Sequence, residues 1–189
     1  MTSKAAFLAR LRPAPSPAAP DTPPLVRYEP ARRGGDGFAE AFTALGGVVH
    51  RGGLREGVAA AAAGRSPLLA VEGLDLGADL VWPGCGVAGA ARAAVGVVRA
   101  RAAVAQTGSV VLSAADNRGR AASLLPPVCV FVIDPDTIVD TPGDLLRSLA
   151  EPPSQLVLVT GPSRSADIEL KLVVGVHGPG EVHAVIVSS

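Results

Sequence analysis

The stretch Val128-Cys129-Val130-Phe131-Val132-Ile133 is apolar throughout, β-branched at four positions, and ends at Asp134-Pro135-Asp136. A short apolar run without polar alternation fits a strand covered on both faces, as in a parallel sheet enclosed by helices. Pro126-Pro127 precedes it, so the run is bounded on both sides by residues that cannot continue a central strand.

Outward from this strand, the pattern alternates. Upstream, strands are predicted at Val48–His50, Pro67–Val71, Leu80–Trp82, Ala93–Val98 and Val110–Leu112. Between them lie a helix from Asp36, read as its cap, to Leu45 with the stripe Phe38, Phe42 and Leu45, an alanine-rich helix over Leu54–Ala63, and a helical turn over Val87–Arg92. Downstream, Thr141-Pro142 opens a helix to Leu149, and strands are expected at Leu156–Thr160, Leu172–His177 and Val182–Val187. Strand–helix alternation implies right-handed crossovers, hence a three-layer α/β/α fold with a mostly parallel central sheet.

Composition narrows the function. Lys+Arg and Asp+Glu both number 17, so no net field favours nucleic acid or an anionic membrane. Aromatics are 3% of residues, too few for a base-stacking surface. Although 48% of residues are hydrophobic, no stretch approaches the roughly 20 apolar residues of a bilayer span. Cys85 and Cys129 lie outside any CxxC pair, so this chain is expected to bind no cofactor or metal. Lone cysteines and the absence of a secretory pattern in MTSKAAFLARLRPAP point to the cytoplasm.

The chain divides into residues 1–35, a short amphipathic helix (Ser3–Arg12) followed by a proline-rich linker (Pro13–Pro30), and a domain over 36–189. The first helix is read as a frayed end, with a docking peptide as the sharper alternative.

Chemistry concentrates in Thr160-Gly161-Pro162-Ser163-Arg164-Ser165-Ala166-Asp167-Ile168-Glu169. The expected course leaves a buried strand through a glycine, presents two hydroxyls and a guanidinium, and begins a helical turn, an arrangement that offers amides and a cation to an anion. Gly175-Val176-His177-Gly178-Pro179 is a second strand-ending glycine turn, and both turns are expected beyond the carboxyl ends of the parallel strands.

These two motifs, with Ala103–Leu112 and Ser123–Pro127 upstream in matching order, closely resemble the LUD-domain family of the lactate-utilisation protein C type over roughly Phe38 to Val187. The resemblance implies a fold like the NagB, RpiA and coenzyme A transferase group. It also implies an accessory role in bacterial oxidation of L-lactate to pyruvate, beside partner subunits that carry the iron–sulfur clusters. One departure stands out: Gln106 occupies a position commonly glutamate, and an amide cannot exchange a proton at neutral pH.

The candidate anion site comprises Gly161, Ser163, Arg164, Ser165, Asp167, Thr107, Gly108, His177 and Gly178, with no catalytic residue assigned. Each has a plainer use beside it. Ser165 is equally a helix cap with Asp167 in the first turn, and Asp167 and Glu169, two apart, are not an acid/base pair. His177 is read as an imidazole satisfied by a backbone carbonyl, with proton transfer as the alternative. His50 and His183 have no partner within sequence reach, and Cys85, between two glycines, is read as inert unless its turn exposes it. A competing function is an enzyme or binder for a phosphorylated or coenzyme A-linked metabolite; the ligand would be a phosphate- or carboxylate-bearing small molecule.

Overall fold

A computed structural model describes residues 29–151, 153–166 and 172–188 of the protein. The helix expected at Ser3–Arg12, most of the linker and Asp167 lie outside the described residues.

Six strands, numbered here in chain order over the whole molecule, make the central sheet: β1 (Val48–Gly52), β2 (Leu68–Val71), β3 (Leu80–Trp82), β4 (Val95–Arg99), β7 (Val128–Ile133) and β12 (Glu181–Val187). Their order is β1-β12-β7-β4-β2-β3 and every pairing is parallel. The run Val128–Ile133 is interior, hydrogen-bonded to β12 on one side and β4 on the other, with Val130 opposite both His183 and Val97.

Strand geometry sends alternate side chains to opposite faces. Val128 and Val130 join Val58, Ala61 and Val185 in one apolar cluster, while Cys129, Phe131 and Ile133 join Phe38, Phe42 and Ala184 in the other. Burying a side chain of this size contributes about 1.5–3 kcal/mol, which is why both faces of this strand must be covered. Helix α1 (Gly34–Ala44) covers the Phe131 face, where the Phe42 ring meets Phe131 edge-on at 6.5 Å, and α2 (Leu54–Ala62) covers the Val130 face. Helix α1 begins three residues earlier than expected, with its cap at Arg33 instead of Asp36. Arg33 holds its cap position without a side-chain hydrogen bond, and Asp36 lies in the first turn, where its charge favours the helix dipole.

Three shorter helices follow: α3 (Gly86–Ala90), α4 (Ala121–Leu124) and α5 (Pro142–Ser148). The last starts as its sequence dictates, with the Thr141 hydroxyl accepting from the Asp144 amide while the Asp144 carboxylate accepts from the Thr141 amide.

The main departure is a second sheet. Strands β5 (Ala102–Val104), β6 (Ser109–Ser113), β8 (Ile138–Val139) and β9 (Leu156–Val159) pair in the order β8-β5-β6-β9, with β9 antiparallel to β6. Leu156–Thr160, expected as a strand of the main sheet, is therefore an edge strand elsewhere, and Val157 and Leu158 are exposed. A further correction concerns Arg164: Arg164–Ala166 (β10) is no helical turn but pairs antiparallel with Leu172–Val174 (β11) as a separate two-stranded ribbon. Among the described residues, no helix is long and apolar enough to cross a membrane.

Candidate functional site

Between the two sheets lies a cavity of about 310 Å³. Phe131 lines it from the central sheet; Leu112, Ser113, Val157 and Val159 line it from the second sheet. The loop after β6 contributes Asn117 and Gly119, the segment around α4 contributes Arg120, Ser123 and Leu124, and the turns flanking the ribbon contribute Gly161, Ser163, His177, Gly178 and Pro179. Four candidates from the two sequence motifs, Gly161, Ser163, His177 and Gly178, thus share one cavity.

Their position differs from expectation. His177 precedes β12 by four residues, and the amides of Gly180 and Glu181 donate to the Pro127 carbonyl just before β7. The turn is therefore on the amino side of these parallel strands, not beyond their carboxyl ends, because the strand before it belongs to the separate ribbon. Nor does the loop hold all its amides free: Ser163 N–H donates to the Pro179 carbonyl at 2.9 Å and Gly175 N–H to the Ser163 carbonyl at 2.9 Å. These two bonds tie the 161–163 turn to the 175–179 turn and so shape one wall.

Arg164 is placed outside that wall. Its Nη2 donates to the carbonyl of Leu45 at 2.6 Å, where helix α1 ends, an arrangement that suits a cation beside the negative end of a helix dipole. Gly161, with φ of +86°, also packs close to this point: a Cβ there would stand 3.1 Å from the Leu45 oxygen. Ser165 is on β10.

Thr107 and Gly108 are supports. Gly108 adopts φ of +62° and packs its backbone on α1, where a Cβ would meet the Phe42 nitrogen at 2.6 Å. The Thr107, Ser109 and Thr160 hydroxyls form a chain with spacings of 2.7 and 2.8 Å, linking this turn to the residue before Gly161. Neither Thr107 nor Gly108 lines the cavity, and the backbone N–H of Gln106 donates to the Asp140 carbonyl at 3.0 Å.

Several polar liners are also committed. Both Asn117 amide protons go to carbonyls, of Arg99 at 2.9 Å and Ser113 at 3.3 Å, while its oxygen accepts from Arg99 N–H. Ser123 donates to the Arg120 carbonyl. Arg120 and His177 are both exposed, and among the described residues neither the guanidinium nor the ring has an ion-pair or hydrogen-bond partner.

On the other face of the sheet the fold assembles a chain that no local pattern announces. His50 Nε2 lies 3.0 Å from His183 Nδ1, His183 Nε2 lies 2.7 Å from Glu181, and Arg65 reaches both Glu181 oxygens at 3.0 and 3.1 Å. Glu181 and His183 share a face through the two-residue strand period, and β1 lies alongside β12, so partners 133 residues apart meet. Desolvation, then the charge of His183, lowers the His50 pKa. The hydrogen bond from His183, with help from Arg65, lowers that of Glu181 against the opposing effect of burial. Buried Cys129 is pushed far up by desolvation and is an inert core thiol.

A six-stranded parallel sheet with helices on both faces, and a second sheet flanking a partly open cavity beside one of them, defines an α/β protein with a small-molecule-sized cleft among the described residues. Within that class, the model of the LUD domain matches residues 88–187, slightly more than half the sequence, and the chain belongs to this family. It is 40% identical over 105 residues to Lactate utilization protein C of Macrococcus caseolyticus, covering 52% of this chain and 46% of that protein. It is 39% identical over 106 residues to Lactate utilization protein C of Bacillus subtilis, covering 52% and 44%. A third relative, protein YkgG of Escherichia coli, is 42% identical over 97 residues, covering 48% and 42%. The matches span less than half the length of these curated relatives. Among solved structures, a DUF162-family protein from Deinococcus radiodurans superposes with a TM-score of 0.63 at 21% identity, covering 81% of this chain and 95% of that one, which shows a shared fold.

Proposed function

We propose that this protein is a non-redox accessory component of L-lactate utilisation in the cytoplasm, acting beside partner subunits that carry iron–sulfur clusters during oxidation of L-lactate to pyruvate. The observation that carries the reading is the similarity to relatives named Lactate utilization protein C. The donor set of this chain is consistent with it: two cysteines, one sealed in the core, fall short of the four thiolates that an iron–sulfur cluster commonly takes. Gentle affinity purification of the tagged protein from lactate-grown cells of its parent organism tests the assignment. Copurification of iron- and sulfide-containing subunits is the expected result; recovery of the protein alone from cells that demonstrably contain those subunits contradicts it.

The cavity supports a second reading, in which the chain binds a small acidic metabolite. Its volume falls at the lower end of the roughly 300–1,000 Å³ typical of ligand pockets, and residues of both sequence motifs line it.

A further inference from the structure

We propose that the cavity between the sheets takes a monocarboxylate with an apolar body longer than a three-carbon acid, its carboxylate at Arg120 and its tail against Phe131, Leu112 and Val157. The inference rests on the second reading above, that the cavity is a ligand site.

Three observations select this class. First, the inner wall is hydrocarbon: Phe131 of β7 faces Leu112 of β6 and Val157 and Val159 of β9. A three-carbon hydroxy acid has too little apolar surface to cover that wall, whereas each buried methylene of a longer chain gains roughly four-fold in affinity. Second, the charge available is small. Arg120 is the lone Lys or Arg among the lining residues, and it is uncommitted among the described residues. One guanidinium matches one carboxylate, with two parallel hydrogen bonds. Third, several of the polar groups that would hold a phosphate are already used. A phosphate site gathers several free backbone amides or several cations. Here the Ser163 amide is given to Pro179, both Asn117 protons to carbonyls, and the Ser123 hydroxyl to Arg120. A cavity of about 310 Å³ is also too small to enclose a coenzyme A nucleotide together with its pantetheine arm. The ligand expected from sequence, phosphorylated or coenzyme A-linked, is thus disfavoured by the same geometry that favours a simple acid. His177 and Ser163, at the ribbon end of the cavity, remain for a polar substituent on the ligand.

Calorimetry and thermal unfolding of the full chain test this with a straight-chain series, acetate, butyrate, hexanoate and octanoate, alongside L-lactate, 1-hexanol, inorganic phosphate and acetyl-coenzyme A. The expected result is affinity that rises roughly four-fold per methylene until the cavity is full, with hexanoate bound at least about ten-fold more tightly than L-lactate or 1-hexanol. Arg120→Gln should weaken hexanoate about ten-fold or more, and Val157→Trp, which fills the cavity from an exposed edge strand, should abolish binding. Unliganded unfolding midpoints identify any variant that has lost its fold, and the ligand series on the unmodified chain stands without either variant. Binding of phosphate or acetyl-coenzyme A without binding of hexanoate overturns the ligand class and leaves the ligand site standing. Equal binding of 1-hexanol overturns the role of Arg120, and absence of binding by every compound overturns both the class and the site.

Discussion

His50 Nε2 and His183 Nδ1 face each other at 3.0 Å, the distance of a hydrogen bond. His183 Nε2 meets the Glu181 carboxylate on the far side of that ring at 2.7 Å, so the two imidazoles and the carboxylate form one chain. A proton on His50 would sit partly desolvated and against the charge of His183, and both effects hold its pKa down.

The sign of the pH effect follows. The His50 pKa is lower folded than unfolded, so the unfolded chain binds more protons, and stability present above about pH 6.5 is lost as pH falls through the folded value. Glu181 is also lowered, so its contribution is present above its ordinary value and declines further into acid. His50→Gln should narrow the difference in melting temperature between about pH 7.5 and about pH 5.5, as read by scanning calorimetry. An unchanged difference would remove His50 from the account.

Replacing His183 by leucine removes both of its hydrogen bonds and leaves Glu181 with Arg65 alone. A loss of about 1–3 kcal/mol in urea denaturation at neutral pH is expected. A loss near zero would show that the chain contributes nothing net to stability.

Gly108→Ala combines a left-handed backbone with a collision against the α1 main chain, which cannot step aside as a flexible side chain could. The expected cost is at least about 2 kcal/mol by chemical denaturation. Wild-type stability would mean that α1 does not rest on this turn.

The two cysteines should separate cleanly with a thiol reagent. Cys85 is partly exposed and should react in the native protein, whereas Cys129, fully buried on β7, should react only after denaturation. Rapid native labelling of both would place Cys129 outside the core.

How much of this was legible in the sequence depends on how far each feature reaches along the chain. Strand β7 and helices α1, α2 and α5 are specified locally, by apolar runs, helical stripes, glycine stops and the Thr141–Asp144 box, and they lie within a few residues of expectation. Strands β5 and β8 were invisible because two or three residues carry no period, and their existence depends on pairing with each other and with β6. Leu156–Val159 read as a strand correctly, but the partner it chooses is a long-range property, and the rim of His177 changed because Leu172–Val174 likewise pairs elsewhere, with β10. The motif around Gly161 and His177 gave four cavity residues, while Phe131, Arg120 and Val157 arrive from segments with no local mark of function. The His50–His183 pair was beyond reach for the same reason: only the register of β1 on β12 brings it together.

The role in lactate use is tested most directly by L-lactate-dependent oxygen uptake in cells of the parent organism lacking this protein. Uptake is expected to fall at least about ten-fold and to return when the chain is supplied on a plasmid, with pyruvate-dependent uptake unaffected throughout. Oxidation of L-lactate at the parental rate in the deleted strain would contradict the assignment.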